Sequence, residues 1–115
     1  MPNVHYIISN VTDRSKSFTS MHRGTVLSSA ILLLDTLHEP ETHPFEYGFI
    51  EFHEENEYAG VVILDDIRLN GEMERFWKFL VDRYGPERAI DVTKVGHWSG
   101  TGLLDLCGNT KVVLA

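Results

Sequence analysis

The sequence predicts an α/β domain: a mainly parallel sheet with a C-terminal antiparallel hairpin. Three observations predict it. The first is the stretch Ala59-Gly60-Val61-Val62-Ile63-Leu64-Asp65-Asp66-Ile67, a short apolar run with no polar face that ends in two carboxylates. Such a run reads as a strand covered on both sides, as in a parallel sheet under helices. The same pattern occurs earlier as Ala30-Ile31-Leu32-Leu33-Leu34-Asp35. The second observation is that helical periodicity separates these strands and follows the second of them. The third is that the last two strand-like runs are joined by a short glycine-rich turn, which fits an antiparallel pair.

In chain order, Val4-His5-Tyr6-Ile7-Ile8 is strand-like, and Asn10 with Asp13 closes it. Residues 14–23 are polar and rich in Ser and Thr, fitting a short helix or a surface loop, and Gly24 ends them. The second strand occupies the later part of 26–34 and stops at Asp35. Thr42 is a candidate N-cap and Pro44 suits a first helical turn. Phe45, Phe49 and Phe52 then recur at helical spacing, with Glu46, Glu51, Glu54 and Glu55 expected on a solvated face. Asn56 and Gly60 bound the return to the sheet.

After Asp65-Asp66, Asn70 can cap a helix whose first turn holds Glu72 and Glu74, where the helix dipole favours acids. Met73, Phe76, Trp77, Leu80, Val81 and Tyr84 recur at steps of three and four, the clearest helix in the chain. Gly85 fits a left-handed C′ position and Pro86 stops the run. Residues 89–95 read as a strand, Gly96-His97-Trp98-Ser99-Gly100-Thr101-Gly102 as a turn, and 103–107 as a further strand. Lys111 to Leu114 is a candidate last edge strand.

Bulk properties narrow the function. The 115 residues make one small domain, and a 43% hydrophobic share supports a modest core. A net charge of −7 argues against a duplex-binding surface and suits a site for cations. Cys107, the single cysteine, excludes an internal disulfide and fits a reducing, cytoplasmic setting. It reads as a small packing residue rather than a nucleophile. No stretch reaches the roughly 18 apolar residues of a membrane span, and the start lacks a signal-peptide pattern. Apart from the two strand–acid units there is no internal repeat.

The chemistry follows from the strand ends. Parallel neighbours lie about 4.8 Å apart, so adjacent strands ending at Asp35 and at Asp65-Asp66 bring three carboxylates together. Like charges that close need a positive group between them, and a hard divalent cation, Mg²⁺ first, is the natural one. The alternative is that these aspartates cap loops and helices, which for Asp66 alone is the favoured reading. The turn 96–102 falls on the same edge, making His97 a candidate to touch substrate or act as a base; a histidine held by hydrogen bonds within the turn is the alternative. Gly100 and Gly102 serve the turn's backbone. His38, three residues beyond Asp35, is placed to support a ligand, whereas His5, His22, His43 and His53 read as surface or packing residues.

These stretches, together with Asn70, Met73, Phe76, Trp77 and Asp91-Val92-Thr93, resemble the C-terminal half of class I S-adenosylmethionine-dependent methyltransferases. The nearest group is the macrocin O-methyltransferase and cephalosporin hydroxylase-like kind. The resemblance spans about residues 3–106 and rests on the Asp-Asp strand end together with the GHWSGTG turn. It implies a Rossmann-like sheet that lacks the first two strands of the family fold. It also implies an O-methyltransferase acting on a small-molecule hydroxyl, with S-adenosylmethionine as cofactor and Mg²⁺ as its aid. Asp35, Asp65 and Asp66 match the positions that hold Mg²⁺ in the metal-dependent members, Asp35 and Asp13 fall toward the cofactor, and His97 is the catalytic candidate. Metal coordination would acidify and fix the hydroxyl for in-line attack.

The chain departs from the family in one respect. No strand followed by a Gly-x-Gly turn opening a helix precedes Asp35, and that turn is the family's grip on the cofactor. Two function classes therefore stand: a methyltransferase or the catalytic half of one, and a non-catalytic remnant that binds or oligomerises, because open strand edges invite self-pairing or a complementing chain. A phosphoacceptor receiver domain is disfavoured, since its acid pair follows the first strand and here the pair lies mid-chain.

Overall fold

The computed structural model describes residues 24–35, 43–109, 111 and 113. The expected first strand (residues 4–8), Asp13, His38, the Thr42 cap and most of the expected last strand lie outside them. Four strands and two helices follow in order: β1 (Ile31–Leu34), α1 (His43–Glu55), β2 (Val61–Asp65), α2 (Gly71–Tyr84), β3 (Ala89–Asp91) and β4 (Thr101–Leu104). Residues 24–28, ahead of β1, are also helical. The protein is thus an α/β fold with a mixed sheet of order β1-β2-β4-β3.

β1 and β2 pair in parallel, Ile31 opposite Val61 through Leu34 opposite Leu64. The final hairpin is antiparallel as expected, and its second strand is the inner one: β4 pairs antiparallel with both β2 and β3. Three of the four strands therefore point the same way, though only one pairing is parallel. The steps from β1 to β2 and from β2 to β3 cross the sheet in the same direction. Right-handed crossovers then lay both helices on one face. The core lies between them: Leu34, Val62, Leu64 and Leu104 from the sheet meet Ile50 of α1 and Phe76 and Leu80 of α2. Burying each such side chain contributes roughly 1.5–3 kcal/mol.

The expectation of strands covered on both sides holds for one face only. β2 alternates buried and half-buried, and on β1 Ile31 and Leu33 are 63% and 67% exposed. The reason is topological, because winding in a single direction puts every described helix on the same side. No helix among the described residues is long and apolar enough to cross a membrane.

Local chemistry sets the element ends. Asn70 caps α2, its Oδ1 accepting from the Met73 amide at 2.9 Å. Gly85 closes the helix by donating to the Val81 carbonyl at 2.8 Å. Its φ of +88° is positive as expected, but its ψ of 156° is extended rather than left-handed helical. β3 stops at Asp91, short of the expected Val95. The Asp91 carboxylate accepts from the Thr93 amide (2.9 Å) and hydroxyl (2.5 Å), which turns the chain out of the sheet.

Helix α1 differs from its sequence reading. Glu46, expected in solvent, is 2% exposed, whereas His53, read as a surface or packing residue, is fully buried as a packing residue. The helices are joined by Glu54, which accepts from Tyr84 Oη at 2.7 Å and from Arg83 at 3.3 Å. Burial and this bond to Glu54 push the Tyr84 hydroxyl's pKa well up. Tyr47 of α1 meets Phe79 of α2 edge-on at 5.2 Å.

His53 yields a pH prediction. Its Nδ1 donates to the Phe49 carbonyl at 2.7 Å. Burial lowers its pKa, and the bond to Phe49 offsets this only in part. The unfolded chain takes up a proton at this residue near about pH 6.5 and the folded chain only at lower pH, so stability falls as pH drops from there toward the folded value. Urea unfolding between pH 7.5 and 5 should show this loss in the parent and a shallower one in His53→Phe. Equal slopes would refute it.

Candidate metal centre

The register of β1 on β2 builds the site. Leu34 sits opposite Leu64, so the next residues, Asp35 just past β1 and Asp65 at the end of β2, come side by side at the C-terminal rim. Asp66 follows directly. One ligand oxygen from each of Asp35, Asp65 and Asp66 lies within 4.8 Å of the others. Asp35 is exposed and the other two are half-buried, so the cluster opens to solvent. Octahedral Mg²⁺ with bonds near 2.1 Å spans about 4.2 Å between opposite oxygens, and Ca²⁺ near 2.4 Å spans about 4.8 Å. The donor set therefore suits a hard cation, with small side-chain adjustments for the smaller ion. Three carboxylates this close repel one another, and a cation among them removes that cost.

Asp66 is held in an uncommon conformation. Its φ is +59°, a left-handed geometry that among non-glycine residues Asp and Asn tolerate best. Its carbonyl accepts from the Leu69 amide at 3.1 Å, closing a tight turn. That turn runs alongside the glycine-rich one, with Arg68 N donating to the Ser99 carbonyl at 2.7 Å and Ile67 N to the Gly100 carbonyl at 3.4 Å.

The two turns are also joined through side chains, and the joint is Ser99. Ser99 is 1% exposed, and its hydroxyl Oγ donates to Asp66 Oδ1. Ser99 Oγ also lies 2.6 Å from His97 Nδ1. The Ser99 amide also donates to His97 Nδ1 at 3.4 Å, so Ser99 holds the ring through both its hydroxyl and its backbone. The ring is exposed and belongs to the same turn. His97 is thus bonded within its own turn, the alternative reading of this histidine. Ser99 was not singled out from the sequence. Its signal is positional, a hydroxyl two residues after His97 in a turn that had to face the acids.

Gly100 serves the turn's backbone as expected, whereas Gly102 lies inside β4 and makes room for a side chain. Gly100 has φ +100°, and a Cβ there would sit 2.8 Å from Arg68 N. A Cβ at Gly102 would meet the Trp77 ring at 2.6 Å.

Farther along the sheet, Arg68 pairs with Asp91 at 2.5 Å. Burial opposes ionisation of Asp91, but the Thr93 hydroxyl and amide and the Arg68 guanidinium outweigh it and hold its pKa below the usual range. Asp91 and Arg68 thus neutralise each other and line an open depression with Thr93 and Lys94.

The structure brings together Asp35, Asp65 and Asp66, and sets His97 beside Asp66 through Ser99. Asp13 lies outside the described residues. Comparison with known protein families, with curated proteins and with solved structures returns no match for this chain.

Proposed function

We propose that this chain is the acceptor-side part of a metal-assisted, S-adenosylmethionine-dependent O-methyltransferase with a Rossmann-like sheet. The observation that carries the reading is the convergence of Asp35, Asp65 and Asp66 at the shared rim of two parallel neighbours, the edge where open α/β sheets take their ligands. The three carboxylates would hold Mg²⁺, and Mg²⁺ bound there would acidify a small molecule's hydroxyl. Asp66 would be steadied by Ser99, and His97 would stand ready to accept the hydroxyl proton. S-adenosylmethionine would supply the methyl group. The described residues fit the metal and not the cofactor, because no glycine-rich strand-to-helix turn is present to grip it. A complementing chain or a second copy would have to provide that grip.

A second reading is favoured by the same gap and by the exposed Ile31 and Leu33: a methyltransferase-like remnant that binds partners without catalysis. Calorimetry on the intact chain with S-adenosylmethionine, with and without Mg²⁺, separates the two. The enzyme reading expects cofactor heat that grows when Mg²⁺ is present. Mg²⁺ binding with no cofactor heat at millimolar concentration would leave the remnant.

A further inference from the structure

The Asp91 carboxylate is filled with donors. Its Oδ1 accepts from the Thr93 amide (2.9 Å) and the Thr93 hydroxyl (2.5 Å). Its Oδ2 accepts from Arg68 Nε (3.2 Å) and Nη2 (2.5 Å). The two oxygens of a carboxylate offer about four acceptor positions, so all of them are taken. The Thr93 hydroxyl is spent as well, because it also accepts from the Thr101 amide at 3.3 Å. Arg68 is thereby gripped along one edge of its guanidinium. Its Nη1 has no partner among the described residues, and its side chain is 54% exposed.

These residues line an open depression of about 310 Å³ together with Lys94. Lys94 is exposed and pairs with no acid among the described residues. Arg68 and Asp91 cancel in charge, so Lys94 leaves the depression with a net positive charge. The side-chain groups still free to bond there are donors, Arg68 Nη1 and the Lys94 ammonium. A surface ion pair accounts for Arg68 and Asp91 but leaves this second cation beside them unused. The position matters too. β2 and β3 run the same way, and across β4 Asp65 stands opposite Thr101 and Asp91 opposite Gly102. With strands about 4.8 Å apart, Asp91 lies about 10 Å along the rim from Asp65. That is about the Debye length at 0.1 M salt, so solvent ions screen much of the repulsion that the acid cluster exerts on an anion there.

We propose that Arg68 and Lys94 form a subsite for the carboxylate or phosphate group of a small molecule, with Asp91 and Thr93 positioning the guanidinium. The oxygens of such a group can take Arg68 Nη1 and Lys94 together, as charge-assisted hydrogen bonds. Arg68 supplies direction and Lys94 a point charge. The guanidinium is tied at both ends: Asp91 holds its edge, and the Arg68 amide donates to the Ser99 carbonyl at 2.7 Å. The inference goes beyond the enzymatic reading and needs neither metal nor cofactor. Under that reading the subsite would select acceptors that carry an acidic group.

Nuclear magnetic resonance on the isotope-labelled full chain tests it, with inorganic phosphate or acetate titrated in about 0.1 M chloride and no Mg²⁺. The expected result is a saturable shift of the Arg68 Nε–H and of the Thr93 and Lys94 amides. Tighter phosphate binding assigns a phosphate-bearing ligand, and tighter acetate binding a carboxylate. Lys94→Gln alters an exposed side chain that holds nothing in the fold, and it should weaken binding about tenfold. Arg75→Gln, which changes an exposed arginine on α2, should leave binding as it is. Shifts that grow without saturating, shifts centred elsewhere in the chain, or equal affinity in the parent and Lys94→Gln would each overturn the proposal. With no Mg²⁺ in the sample, such a failure leaves the metal reading standing, and loss of the metal response leaves this subsite standing.

Discussion

Mg²⁺ at about a hundred times its dissociation constant should stabilise the parent chain by about 2.7 kcal/mol, a rise of about 10 °C in melting temperature for a domain of this size. The double variant Asp65→Asn, Asp66→Asn should show no rise. Its behaviour without the ion is the sharper part of the prediction. In the parent, three carboxylates lie within 4.8 Å of one another, and their mutual repulsion opposes folding at low ionic strength. Removing two of the charges should leave the ion-free variant at least as stable as the ion-free parent. The order of melting temperatures would then be parent with Mg²⁺ highest, variant in the middle with or without the ion, and parent alone lowest. The substitution spares the backbone, since Asn suits the φ of +59° at position 66. Its amide oxygen can still accept from Ser99. If the acids were only loop caps, the variant would melt below the parent and neither would respond to Mg²⁺.

Much of this geometry could be read from the sequence because it depends on short-range pattern. The periodicity of Met73, Phe76 and Leu80 places α2, and Asn70 and Gly85 bound it as the structure has them. The two apolar runs ending in acid specify parallel neighbours, and once they are neighbours the meeting of Asp35 with Asp65 follows from register. What was not legible depends on the third dimension. The sequence does not say which face a helix takes, so the exposure of Ile31 and Leu33 was missed. Glu46 carries a charge that outweighs its position on α1 in a sequence reading, though it is buried. The length of β3 was misjudged because Val92, Thr93 and Val95 all favour strands, while one Asp91 carboxylate bonded to Thr93 is enough to end the ladder. Ser99 escaped notice because its role arises from two turns lying side by side, a contact 33 positions apart in sequence.

That contact depends on Gly100, and Gly100→Ala should be among the most damaging single changes in the chain. The residue's φ of +100° costs an alanine about 1–2 kcal/mol by itself. The added Cβ would also sit 2.7 Å from Ile67 Cγ1, 2.8 Å from Arg68 N and 2.9 Å from Arg68 Cγ. The Arg68 amide is backbone and cannot swing aside, and Ile67 is 1% exposed. The turn at 97–100 must then move off the turn at 66–69. That motion breaks the bonds of Arg68 N to Ser99 and Ile67 N to Gly100, and with them the Ser99–Asp66 link. The expected loss is about 3 kcal/mol or more, read as a melting temperature lower by about 10 °C. Any Mg²⁺ response should weaken with it, because Asp66 loses the hydroxyl that orients it. Gly48→Ala supplies the contrast. Gly48 lies exposed within α1 with nothing near its missing Cβ, and alanine there should raise stability by up to about 1 kcal/mol through helix propensity alone. If both variants melted within a degree or two of the parent, the two turns would not be coupled through Gly100, and the orientation of Asp66 and His97 would need another cause.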